Sequence, residues 1–158
     1  MHIKTRKAFT ITELVFVIVV IGILSAIAIP KFQESSILAH DAKAKSQIIS
    51  VMSAVAAERQ RRILRGDFTP ITDLGDATNA FSLMSADGDG NQAVVLQYPI
   101  VNCSATQRAC WIRTAATDYT YRFVDSSTGT DGQADFVLTN SRLDCAAGDT
   151  SDCLLITK

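Results

Sequence analysis

The chain has 158 residues, 47% of them hydrophobic, with fifteen lysines and arginines against sixteen acids and a net charge of −1. That balance gives no general electrostatic claim on nucleic acid, and the length allows one small folded domain beside an extended element. The sequence has no Gly-x-Ser-x-Gly, His-Glu-x-x-His or phosphate-loop motif. Neither of its histidines, His2 and His40, falls where an outer domain would use it, so no enzyme is expected.

The first eight residues, MHIKTRKA, carry Lys4, Arg6 and Lys7 and no acid. Residues 11–29 then form a near-continuous apolar run containing one carboxylate, Glu13. A run of about 19 residues rises roughly 28 Å as a helix, enough to cross a bilayer. The basic leader keeps the N-terminus cytoplasmic and sends the remainder outward. The nearest approach to a secretory cleavage site, Ser25-Ala26-Ile27-Ala28, lies inside a helical pattern that continues past it, so a retained anchor is expected. A carboxylate in hydrocarbon costs about 2.5–3.5 kcal/mol at a helix centre and less near an end. Two readings of Glu13 follow: a functional charge with a partner, or an acid resting at headgroup depth.

Beyond Pro30 the helix is expected to resume and become amphipathic to residue 65. Leu38, Ala42, Ile49, Met52, Ala56 and Ile63 recur at steps of three, four or seven, with Ile48, Val51 and Val55 widening the stripe. This stripe predicts a docking surface for a globular domain, opposite a face bearing Asp41, Lys43, Lys45, Ser46, Ser50 and Ser53. Uninterrupted, the helix would reach about 85 Å. Gly22 and Pro30 are its weak points. The end of the helix holds Arg59, Arg61, Arg62 and Arg65, followed by Gly66 as a C-cap. Cations there suit the helix dipole. The same four arginines are also a candidate patch for DNA, weakened by the lack of nearby aromatics for base stacking.

From Asp67 the texture turns to short β-rich runs. A loop over 69–76, a short helix over 77–85, and strands over 93–101, Cys110–Arg113, Asp118–Val124, 135–139 and 154–157 are predicted, with 126–133 a hairpin connection. Pro99 should end its strand or hold it at an edge. Four or five antiparallel strands packed on the second half of the helix make the economical α+β fold.

The four cysteines, Cys103, Cys110, Cys145 and Cys153, lack zinc-site spacing and suit an oxidising compartment. Of three connectivities, the local pairs 103–110 and 145–153 are preferred, with the crossed pairings open. Asp87, Asp89 and Asn91, at i, i+2 and i+4, match the opening of a calcium loop, and calcium is the one candidate cofactor. Gln92 stands where such a loop wants glycine, and a tight Asp-Gly turn is the alternative.

Residues 7–14, Lys-Ala-Phe-Thr-Ile-Thr-Glu-Leu, with the apolar run and Pro30 behind them, resemble the N-terminus of type IV pilins and type II secretion pseudopilins. The likeness covers residues 4–32 and, through the amphipathic helix, extends to about 65. One departure is Ala8, where the family usually has glycine. The resemblance implies a prepilin peptidase that cuts between Ala8 and Phe9 and methylates the new Phe9 amine. It also implies a Glu13 that pairs with the Phe9 amine of a neighbouring subunit in a filament assembled by an inner-membrane platform. It suggests unwinding between Gly22 and Pro30 in the filament, against a gentle kink as the alternative. Calcium-dependent members of the family favour the calcium reading, and DNA-uptake members the DNA reading. The expected organisation is a leader at 1–8, a membrane and filament-core helix at 9–30, its amphipathic half at 31–65 and a disulfide-bonded domain at 66–158. The chain would sit in the inner membrane in contact with lipid, its outer domain periplasmic, before joining a periplasmic or extracellular filament. Secretion pseudopilus, type IV pilus and competence filament remain open, as does an anchored binding protein that never polymerises.

Overall fold

One helix, α1, spans Ile11–Leu64 without a break and carries Pro30 inside it. The computed structural model describes residues 9–104, 106–124, 130–148, 153 and 157, without the side chains of residues 33 and 34. The expected leader at 1–8 and the tip of the hairpin connection at 126–129 lie outside the described residues. The chain divides into two units, Met1–Ser36 and Ile37–Lys158.

In the first unit α1 keeps large apolar side chains exposed, from Ile11 through Phe16, Ile23 and Ile27 to Phe32. This segment is apolar and long enough to cross a membrane. The helix continues through Pro30, which removes one backbone donor from its ladder.

In the second unit the rest of α1 packs on antiparallel sheets. Strands β1 (Asn79–Phe81) and β2 (Ile100–Val101) form a small pair, with Asn79 opposite Val101 and Phe81 opposite Ile100. Strands β3 (Cys110–Arg113), β4 (Asp118–Val124), β5 (Asp131–Thr139) and β6 (Arg142–Cys145) form a four-stranded sheet in sequence order. In β4 the alternation places Tyr119, Tyr121 and Phe123 inward. They meet Phe81, Trp111 and Phe136 in an aromatic core whose closest centroids are 5.0–5.4 Å apart. The architecture is a long N-terminal helix with small antiparallel sheets, α+β and pilin-like.

The helix face that enters this core is one side of the predicted stripe, that of Ile48, Val51 and Val55 with the half-buried Met52, and not its centre. Ala44, Ile48, Val51 and Val55 are buried, and the stripe continues through Glu58 and Arg62. Leu38, Ile49 and Ile63 are 61%, 50% and 44% exposed, and Ala42 and Ala56 are exposed with them. At ~100° per residue these positions lie roughly 100–160° around the axis from the buried stripe. The buried face includes a charged pair, so counting apolar residues displaced the centre of the stripe.

Other elements differ from expectation, and β5 begins at Asp131, inside the expected 126–133 connection, instead of at 135. Residues 79–81 form β1 rather than part of a helix. Asp76 accepts the N–H groups of Thr78 and Asn79 at 2.7 and 2.8 Å and the Ser82 hydroxyl at 2.8 Å, which fixes an Asx turn ahead of the strand. A Cβ on Gly75 would stand 2.3 Å from the Ala80 carbonyl oxygen, so only glycine admits this close approach. The single strand expected over 93–101 is broken: Val94 bridges Leu83, and β2 begins only after Pro99. Of the strand expected over 154–157, Thr157 is helical rather than extended, as is Cys153 before it, and the Thr157 hydroxyl donates to the Cys153 carbonyl at 3.0 Å. Residues 154–156 lie outside the described residues. Strand β6 was not foreseen. It follows β5 through Asn140 and Ser141, whose φ values of 52° and 62° are those of a type I′ hairpin turn.

Candidate assembly site

At its N-terminus α1 is closed by a reciprocal capping box. Glu13 Oε2 accepts the Thr10 amide and hydroxyl, both at 3.0 Å, while Thr10 Oγ1 accepts the Glu13 N–H at 3.2 Å. The spacing Thr10-x-x-Glu13 is enough to produce this contact, because N-cap and N3 side chains face each other across the first turn. Phe9, one residue ahead, is 83% exposed. The structure therefore brings Phe9 and Glu13 to the same helix start. Ala8, the other expected cleavage residue, lies outside the described residues. Nothing approaches within 4 Å of a Cβ placed on Gly22.

The chain is similar to fimbrial proteins. Two from Pseudomonas aeruginosa are each 39% identical over 66 residues, 40% of this chain and 38% of theirs. The match thus spans well under half the length of these relatives. No family model and no solved structure matches the chain.

Within this pilin-like frame each arginine at the helix end has an acceptor in the chain. Arg62 is fully buried. Its Nε donates to Glu58 Oε1 at 3.1 Å and its Nη2 to the Ser85 carbonyl at 2.6 Å, while its Nη1 lies 3.4 Å from the Ala86 carbonyl. Arg61 pairs with Glu58, and Arg59 donates to the Thr69 carbonyl at 3.2 Å. Arg65 binds Asp87 at 2.8 Å. Arg59, Arg62 and Arg65 thus tie the helix end to the loops that follow, while Arg61 bonds within the helix and is 66% exposed. Gly66, at φ 81°, ends the helix in a Schellman motif, with Gly66 N–H on the Ile63 carbonyl and Asp67 N–H on the Arg62 carbonyl, both at 2.9 Å.

Of the candidate calcium ligands, Asp87 is buried and Asp89 and Asn91 are exposed. Asp87 Oδ1 accepts the Asn91 and Asp89 N–H groups at 2.7 and 3.1 Å. Those bonds, led by Asn91, hold its carboxyl below the usual range, with the Arg65 charge adding to them. Asp67 accepts the Gly88 N–H at 2.9 Å, which with Thr69 lowers it to about 2. Both local disulfides, Cys103–Cys110 and Cys145–Cys153, are formed, with Cα separations of 6.0 and 5.8 Å.

A node that the sequence reading missed ties the loop after α1 to the sheet. Arg113 forks onto Asp73, Nε to Oδ1 at 2.9 Å and Nη2 to Oδ2 at 2.5 Å. The Tyr119 hydroxyl accepts the Leu74 N–H at 2.8 Å and lies 2.8 Å from the Ala116 carbonyl and 3.1 Å from Asp73. Burial pushes its ionisation well above that of a free tyrosine. Only the inward position of Tyr119 in its alternating strand hinted at this role.

Proposed function

We propose that this chain is a structural subunit of a membrane-assembled helical filament, the pseudopilus of a type II secretion or DNA-uptake system. The observation that carries the reading is the exposed apolar half of α1, which opens on Phe9 and Glu13 and whose side chains lack a core of their own. The similarity to fimbrial proteins supports it. In this reading the first unit is held in lipid until a prepilin peptidase removes the residues through Ala8 and methylates Phe9. The inner-membrane platform then moves the subunit into the filament, where apolar side chains of neighbouring helices replace lipid. Glu13 exchanges its local bonds to Thr10 for the charged Phe9 amine of an adjacent subunit, so that correct axial register is rewarded. The second apolar face, Leu38, Ala42, Ile49, Ala56 and Ile63, supplies further surface for that packing.

Expressing the chain with a prepilin peptidase and its platform tests this. Sheared filaments should appear by electron microscopy, and Glu13→Val should reach the membrane yet give few or none. Normal filament yield from that variant would remove the role of Glu13. Deleting the gene and assaying exoprotein release, surface pili and transformation side by side separates a secretion pseudopilus from the second reading, a type IV pilus for adhesion, motility or DNA binding. The pilus reading draws on the fimbrial similarity.

A further inference from the structure

The loop Asp87-Gly88-Asp89-Gly90-Asn91 has the spacing of a calcium loop, yet the carboxylate of Asp87, its one buried acid, is already engaged by the protein. The Asp87 side chain is 2% exposed and so needs an opposite charge beside it. Arg65 Nη2 provides one at 2.8 Å from Oδ2. The other oxygen, Oδ1, faces the N–H groups of Asp89 and Asn91, with Asn91 Nδ2 3.4 Å away. Asp67 spends one oxygen on the Gly88 N–H and the other on the Thr69 N–H at 2.8 Å. The carbonyls of Ser85 and Ala86, the oxygens a metal would recruit from the loop's entrance, face the Arg62 guanidinium. Calcium takes six to eight oxygens, and bound here it would have to displace N–H donors and sit next to a fixed positive charge. Among the described residues no three His, Cys, Asp or Glu side chains are grouped to hold a metal ion.

We infer that Arg65, seconded by Arg62, is the resident cation of this loop, and that the loop forms without calcium. The helix end thereby does for the loop what a bound ion would do elsewhere. It neutralises a buried carboxylate and fixes the turn, with a charge that chelators cannot remove.

The test uses the full-length chain in detergent micelles, with thermal melting and hydrogen exchange of segment 85–92 as readouts. The wild type should melt at the same temperature, and exchange at the same rate, in EDTA and in millimolar calcium. Arg65→Gln should speed exchange of this segment by about tenfold or more in both media, because the buried Asp87 loses its counter-charge. Calcium that raises the wild-type melting temperature or slows exchange at the segment would overturn the inference. So would Arg65→Gln with unchanged exchange. Neither readout depends on filament formation, so this inference can fail while the filament reading stands, or the reverse.

Discussion

The two units of this chain handle charge and greasy surface in opposite ways. In the first, Phe9, Ile11, Phe16 and Phe32 are exposed, and among the described residues Glu13 bonds to Thr10, three residues before it. In the second, aromatic rings fill the core while Glu58 and Arg62 are buried beside them. The buried charges of Glu58, Arg62 and Asp87 are stable in the outer domain because they are paired within the same chain. Apolar surface on the first unit has no such partner among the described residues, so its stability depends on lipid or on other molecules. One half of the helix is therefore finished by its own fold and the other by its surroundings.

The sharpest way to break this contrast is to remove the internal partner. Arg62→Ala should destabilise the outer domain by about 3 kcal/mol or more, because it empties a fully buried position, leaves Glu58 with only the more exposed Arg61 and Arg65, and strands two loop carbonyls. Arg59→Ala, which lacks a buried ionic partner, should have a far smaller effect in the same denaturation experiment. Comparable midpoints for the two would mean that the buried pair is not what holds the helix end. A smaller loss, about 1–3 kcal/mol, is expected for Tyr119→Phe, which leaves the Leu74 N–H without its acceptor.

Acid probes the same internal bonding. Asp67, Asp76 and Asp87 all titrate below their free values, chiefly because hydrogen bonds favour the ionised form. Depressed folded-state values mean that their contribution is complete above the unfolded pKa near ~4 and is lost as pH falls toward the folded values. The melting temperature should therefore drop between pH 4 and about 2, and Asp76→Asn should flatten that slope. A profile flat to pH 2 would contradict it. The smallest effect on stability belongs to the exposed face: Ile49→Asp should change folding free energy by less than about 0.5 kcal/mol. It should nonetheless reduce filament yield, whereas a large loss of stability would show that this face packs within the chain.

Much of this was legible from the chain alone, and the failures share a cause. β3 and β4 stand where alternation put them, because one wet face and one dry face leave a period of two. The α+β plan followed from the long helix and the short strands after it. Ile48, Val51 and Val55 were rightly placed on the docking face, but its centre was displaced because Glu58 and Arg62 belong to the buried stripe, and their mutual pairing shows only in three dimensions. Strand β1 was mistaken for helix because Ala77 to Ser85 lacks glycine and proline, while the Asp76 carboxylate that redirects the backbone acts from just outside it. The turn at Asn140 and Ser141 went unseen because Asn-Ser is a weaker hairpin signal than Asn-Gly. At the candidate site, Thr10-x-x-Glu13 could have been read as a capping box, and the arginine run as staples had the acids and carbonyls around it been known.

Intact-mass analysis of the native protein, taken from membranes and from sheared filaments, tests the central claim most directly. The filament reading predicts chains that begin at Phe9 and carry one added methyl group, enriched in the polymer. A chain that begins at Met1 and stays dispersed in the membrane would contradict it and favour an anchored protein that never polymerises.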